Sequence, residues 1–145
     1  MKKIIIINGP NLNLLGNRES RIYGDASLKD IEKISKIKCK ELSLQLFFCQ
    51  SNNEGELINF IHSAESEYDG LIINPAAFTH TSLALLDALR AISKPKIEIH
   101  LSNIYNREDY RKNSITSEGV NGLICGFGSL SYILAIEAIN NLIKK

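Results

Sequence analysis

Apolar and polar positions along this chain follow two rhythms. Ile4–Ile7 is an unbroken apolar run, the pattern of a strand buried on both faces. Leu44 to Cys49, Leu71 to Asn74, Lys96 to Leu101 and Gly122 to Gly126 read as four further strands. Between them, apolar residues recur at helical spacing. Leu28, Ile31, Ile34 and Ile37 mark the inner face of a helix that Ser27 opens as N-cap, with Asp30 three residues later, and that runs to about Ser43. Asn52 or Asn53 caps a second helix through about Glu67, with Leu57, Ile58 and Ile61 inward. Pro75-Ala76-Ala77-Phe78 forms a turn, after which Thr79 or Thr81 caps a third helix ending near Ser93, where Lys94-Pro95 stops it. Ser102 to Ser117 reads as loop with a short helical piece around Arg107 to Arg111, and Ser129 to Ile143 as a final amphipathic helix.

Five strands alternating with helices predict an α/β fold. The expected form is a flavodoxin-like three-layer α/β/α sandwich on a five-stranded parallel sheet, with residues 1–145 as one domain. Right-handed crossovers put every strand-to-helix loop on one sheet edge, and ligands of such folds bind outside the carboxyl ends of the strands. One connection there departs from the pattern. The segment from Asn8 to Gly24, after the first strand, is about four times the usual length of such a loop. Leu12, Leu14, Leu15 and Ile22 give it apolar ballast, which argues for a lid or binding loop over disorder. Asn11 and Asn13 can offer donors to a developing oxyanion, and Arg18 can lower the pKa of a nearby phenol such as Tyr23.

Composition narrows the classes. A net charge of +1 with 23% charged residues suggests neither nucleic acid nor a membrane surface as partner. The Lys2-Lys3 start lacks a signal-peptide pattern, and no apolar stretch approaches the roughly 18 residues that span a bilayer. Cys39, Cys49 and Cys125 have neither CxxC nor zinc spacing and are expected as buried free thiols in a reducing cytosol. The three histidines are scattered and make no metal site. A receiver-like Mg²⁺ site needs carboxylates where Asn8 and Asn74 stand. The partial glycine motif Gly126-Phe127-Gly128 follows the last strand, not the first, and reads as tight packing.

Polar residues with chemical potential gather at the carboxyl edge. Asn74 and His80 suit a hydroxylated ligand, or else they close a turn and sit exposed. Glu98 and His100, two apart on one strand, point to the same face. They form either a proton donor whose tautomer the carboxylate fixes, or a structural pair. Leu101-Ser102-Asn103 offer amides and a hydroxyl that can cradle a carboxylate, and Arg111 either binds an anion or is a surface charge. His62 lies mid-helix, away from that edge. Asp87 and Arg90, three apart on the third helix, form an intrahelical pair, or Asp87 serves a neighbouring subunit's site.

These pieces together resemble the type II 3-dehydroquinate dehydratases, small cytoplasmic enzymes of the shikimate pathway. The resemblance lies in GPNLNLLG with Arg18 and Tyr23-Gly24, Gln50-Ser51-Asn52 with EGEL, Asn74-Pro75-Ala76-Ala77-Phe78-Thr79-His80-Thr81-Ser82, Glu98-Ile99-His100-Leu101-Ser102-Asn103, Arg107-Glu108, Arg111 and Gly126-Phe127-Gly128. It spans nearly the whole chain, in order. It implies an anti elimination of water from 3-dehydroquinate through an enolate, in chorismate biosynthesis, without metal or cofactor. Tyr23 would be the base, held as phenolate by Arg18. Asn11 would stabilise the enolate, and His100, oriented by Glu98, would protonate the leaving hydroxyl. Asn74, His80, Arg111 and the Leu101 and Ser102 amides would bind substrate, and Asp87 would reach an adjacent subunit's site. A homo-oligomer of trimers, commonly a dodecamer, is expected. Ser20 stands where the family usually has proline, Asn53 replaces a common histidine, and Ser131 a common glycine. The same dehydration through a lysine imine lacks a lysine at the carboxyl edge of the early strands, and a catalytically silent module would not need Arg18, Tyr23 and His100 together.

Overall fold

The computed structural model describes residues 1–16 and 25–144. Five parallel strands form one sheet in the order β2-β1-β3-β4-β5: β1 Lys2–Asn8, β2 Leu44–Gln50, β3 Gly70–Asn74, β4 Lys96–His100 and β5 Gly122–Cys125. The helices are α1 Leu28–Glu41, α2 Glu54–Glu67, α3 Leu83–Ala91 and α4 Leu130–Ile143. Because β1 lies between β2 and β3 with helices over both faces, its four isoleucines alternate between two cores. Ile4 and Ile6 join Ile72, Ile97 and Ile99 beneath α1 and α4; Ile5 and Ile7 join Leu71 and Ile73 beneath α2 and α3. All four are fully buried, and each such side chain contributes about 1.5–3 kcal/mol of hydrophobic stabilisation.

Local signals set most element ends. Ser27 and Asp30 form a reciprocal capping box at α1, and Asn53 caps α2 through its side chain. Ser43 stops the first helical segment with a left-handed φ of 58°. The inner stripe of α1 differs from the expected one. Ile31, Ser35 and Cys39, spaced four apart, are its buried residues, while Ile37 is 54% exposed. The cap of α3 also differs. Ser82 takes it, accepting from Leu85 N at 2.9 Å and donating to Glu54 on the neighbouring helix. Neither Thr79 nor Thr81 caps, because Thr79 is buried against β4 and Thr81 follows the 3-10 turn Ala76–His80. Ser102 to Ser117 winds through short 3-10 turns at Ile104–Asn106, Asp109–Arg111 and the start of Thr116–Gly119. Cys39 is buried, but Cys49 and Cys125 are only half-buried; all three are free thiols. Burial pushes the Cys39 thiol up to about 11 and that of Cys49 to about 12, which leaves both unreactive. No helix among the described residues is long and apolar enough to cross a membrane.

Candidate active site

The central strands finish level with one another. Asn8 pairs with Gln50 on one side and Asn74 on the other, so three amide side chains stand in a row where β2, β1 and β3 end. Gly9 then continues from β1, its N–H donating to the Asn74 carbonyl at 2.8 Å. Any Cβ at Gly9 would lie 2.5 Å from the Pro75 carbonyl oxygen, so only glycine lets the two strand exits run this close. Two residues later Asn11 takes a left-handed conformation, φ 69°, with its N–H bonded to Asn52 Oδ1 at 3.0 Å. Gln50 Nε2 reaches both the Gly9 carbonyl and Asn52 Oδ1 at 3.1 Å. The turn that presents Asn11 is thus clamped from β2, and the Asn11 side chain has no hydrogen-bond partner among the described residues.

On β4, Glu98 is fully buried and His100 only 5% exposed, with His100 Nε2 2.7 Å from Glu98 Oε2. Three hydroxyls surround the same carboxylate: Thr79 at 2.7 Å, Ser114 at 3.2 Å and Thr116 at 2.5 Å. Burial alone would raise the Glu98 pKa. The hydrogen bond and charge of His100, with the Thr116 and Thr79 hydroxyls, outweigh it and hold Glu98 below the usual carboxylate value. An ionised carboxylate only accepts, so the Nε2–H of His100 donates to it. Nδ1 has no partner among the described residues, and His100 lines a cavity of about 100 Å³ above the strand ends.

That cavity brings together most of the residues singled out from the sequence. Asn11, Asn74, His80, His100, Leu101, Ser102 and Arg111 all line it, and Glu98 stands directly behind His100. His80 Nδ1 lies 2.8 Å from the Asn113 carbonyl; in the neutral ring Nδ1–H donates there, which leaves Nε2 as an acceptor. Arg111 Nε sits 3.0 Å from Glu108 in an ion pair whose angle falls outside hydrogen-bond geometry. Arg107 also lines the cavity, 3.5 Å from the Ser102 hydroxyl and paired with Glu108 at 3.7 Å. Both guanidiniums thus meet the exposed Glu108 carboxylate at this wall. The sequence reading noted Arg107 without giving it a role; its spacing of four from Arg111, around a shared Glu108, was the available signal. Asn74 is more committed than expected: Nδ2 donates to Tyr132 Oη at 3.0 Å and Oδ1 accepts from Ala76 N at 3.2 Å.

Asp87 does not line the cavity. It lies exposed on α3 and does not pair with Arg90, whose guanidinium instead sits 3.9 Å from Glu118. Tyr23 and Arg18 lie outside the described residues, as do Ser20 and the end of the long loop. Asn13 accepts from Gln50 Nε2 at 3.5 Å. His62 is exposed on α2.

The family model of class II dehydroquinase matches residues 2–140. The chain belongs to the class II dehydroquinases. Members of this family are hydro-lyases. A 3-dehydroquinate dehydratase of Thermoanaerobacter pseudethanolicus is 51% identical over 142 residues, spanning 98% of this chain and 96% of the relative. Crystal structures of type II dehydroquinases from Butyrivibrio crossotus and Propionibacterium acnes superpose with TM-scores of 0.94, at 43% and 38% identity. The first covers 96% of this chain and 97% of that one, the second 97% of each. Two of the residues that depart from the motif have local roles. Asn53 Oδ1 accepts from Glu56 N at 2.9 Å to cap α2, and Ser131 Oγ accepts from Phe127 N at 3.2 Å ahead of α4.

Proposed function

We propose that this chain dehydrates 3-dehydroquinate to 3-dehydroshikimate by anti elimination through an enolate. Tyr23, held as phenolate by Arg18, removes the C2 proton; an unperturbed phenol near pKa ~10 would be almost wholly protonated at neutral pH. The Asn11 side chain, presented by its clamped left-handed turn, stabilises the enolate oxygen. His100, with both ring nitrogens protonated, then gives its Nδ1–H to the departing C1 hydroxyl while Nε2–H stays on Glu98. The amides of Leu101 and Ser102 and the guanidinium of Arg111 take the substrate carboxylate, and His80 Nε2 accepts from a ring hydroxyl. No step calls on a metal or a cofactor.

The observation that carries this reading is the Glu98–His100 pair. A buried ionised carboxylate orients an imidazole that lines a cavity with hydrogen-bonding and cationic groups, in a chain of this family. Asp87 supports an oligomer. It is exposed, one helical turn from Leu83, itself 63% exposed, and we assign it to an adjacent subunit's site in trimers that assemble into a cytoplasmic dodecamer. Its pathway role is aromatic amino-acid biosynthesis.

Mixing the protein with 3-dehydroquinate tests the reaction, because the product is a conjugated enone-carboxylate whose ultraviolet absorbance rises with turnover. Tyr23→Phe is expected to lower kcat by roughly 10²–10⁴-fold, the usual contribution of a general base. Full activity in Tyr23→Phe would move the base elsewhere, and borohydride trapping of substrate on the protein would replace the enolate with an imine.

A further inference from the structure

We infer that Tyr132 is a positioning residue for this reaction: its buried hydroxyl, held between Asn8 and Asn74, acts with the Ala76 N–H to hold the Asn74 amide in one orientation, so that the second Nδ2 hydrogen is the group offered to a ligand. The inference rests on the reading of the cavity given above and deepens it.

The argument is one of direction along a chain of hydrogen bonds. At one end, the Cys49 carbonyl can only accept, so Asn8 must point Nδ2 at it, at 2.9 Å. Asn8 Oδ1 is then the atom facing Tyr132, and it accepts the phenol hydrogen at 2.6 Å. Having donated its one hydrogen, Tyr132 Oη can only accept from Asn74, which therefore presents Nδ2 at 3.0 Å. At the far end the Ala76 N–H can only donate, and it meets Asn74 Oδ1 at 3.2 Å. Two backbone groups of fixed polarity thus anchor the chain, and every side chain between them has one permitted orientation. Ala76 adds rigidity, since its left-handed φ of 54° is held by the same bond.

Asn8 and Tyr132 are fully buried and Asn74 is 2% exposed, so water does not substitute for the two links made by the Tyr132 hydroxyl. Burial also pushes the Tyr132 phenol well above the ordinary tyrosine range, which keeps its O–H in place at any working pH. With Oδ1 holding the Ala76 N–H and one Nδ2 hydrogen held by Tyr132, the second Nδ2 hydrogen is the donor Asn74 has left. Asn74 lines the cavity, so that group suits an acceptor on the ligand, a hydroxyl or carboxylate oxygen. Were the amide reversed, its oxygen would face the ligand and the Ala76 N–H would lose its acceptor.

Steady-state kinetics of Tyr132→Phe, Asn74→Ala and the double variant test this. The phenylalanine keeps the ring, which packs against Phe48, and deletes only the hydroxyl. Tyr132→Phe is expected to lower kcat/KM about tenfold, the effect of one misdirected buried hydrogen bond. The double variant is expected to match Asn74→Ala within about twofold, because no amide remains to be oriented. Effects that multiply, or an unchanged kcat/KM in Tyr132→Phe, would overturn the inference. If Tyr132→Phe does not fold, Asn8→Ala takes its place: it removes the acceptor of the phenol hydrogen, frees that hydrogen for Asn74 Oδ1, and is expected to show the same loss. A folded Asn8→Ala of full activity, or failure of both variants to fold, would assign the network to stability alone. Absence of turnover in the parent would overturn the activity reading and this inference together, whereas an active parent with unaffected variants would overturn the inference only.

Discussion

Glu98→Gln separates charge from shape at the carboxylate behind His100. In the parent, Oε2 takes the His100 Nε2–H and the Thr79 and Ser114 hydroxyls at 2.7, 2.7 and 3.2 Å, and Oε1 takes Thr116 at 2.5 Å. A carboxamide can keep its oxygen toward the first three and turn its NH₂ toward Thr116. That hydroxyl then accepts, passing its own hydrogen to Thr79 Oγ1, 2.7 Å away. One of the two NH₂ hydrogens is left without a partner, which should cost the fold some stability without unfolding it, and the counter-charge to an imidazolium is gone. A charged hydrogen bond contributes about 1.5–3 kcal/mol against about 1 kcal/mol for a neutral one, a difference of about 0.5–2 kcal/mol. If His100 donates its Nδ1 proton in the step that expels water, kcat should fall about 2–30-fold while KM stays within about threefold. The continuous absorbance assay at neutral pH reads both constants. An unchanged kcat, or a loss confined to KM, would refute the assignment of His100 as the acid held by a buried anion.

The same variant has a signature in stability. The folded-state pKa of Glu98 lies below its ordinary value of 4.5, so its contribution is fully present above that value and is lost as pH falls through the lower folded one. Urea unfolding of the parent should therefore weaken as acid protonates Glu98, and Glu98→Gln, with nothing to protonate there, should lose stability less steeply as pH falls below 4.5. Parallel acid profiles for the two proteins would mean that the pair is not ionised in the fold.

Two further substitutions test the cavity wall and the scaffold. Arg111→Lys keeps the charge but loses the planar fork, and should raise KM about tenfold with little change in kcat; an unaltered KM would remove Arg111 from the carboxylate site. Ser82→Ala deletes both the α3 cap and the donor to Glu54, and chemical denaturation should show a loss of about 1–2 kcal/mol; a smaller loss would mean that Thr81 or water takes over the cap.

Elements whose causes are local were legible in the chain. Four consecutive isoleucines suffice for a central strand, and Ser27 with Asp30 suffices for a helix start, because each signal and its structural partner lie within a few residues. The cap of α3 shows where that reasoning fails. Thr79, Thr81 and Ser82 all carry a capping hydroxyl, and nothing in their immediate neighbourhood ranks them. The choice is made by Glu98, which draws Thr79 into the sheet and leaves Ser82 to begin the helix. Likewise the stripe of α1 was misread because Ser35 and Cys39 are small enough to lie against α4, while Ile37 points outward despite its hydrophobicity.

The site divides along the same line. Glu98 and His100 are visible as a pair because a strand repeats every two residues, so sequence alone puts them on one face. The long first loop was visible through its length, whereas Arg107 received no role until the structure set it beside Arg111 on Glu108. Tyr132 had no such signal, since an aromatic residue on the apolar face of a helix reads as core, and by burial it is core. Its hydroxyl acquires meaning only when β1 and β3 end level, which brings Asn8 and Asn74, 66 positions apart in number, to the two sides of one phenol. The one advance hint was that both strands close on an asparagine, where a buried sheet end needs its polar atoms paired. A third polar group had to stand between or beside two such amides. In this fold the last helix supplies it, so the donor side of a cavity at the carboxyl edge depends on a residue that arrives only when α4 packs and the chain is nearly complete.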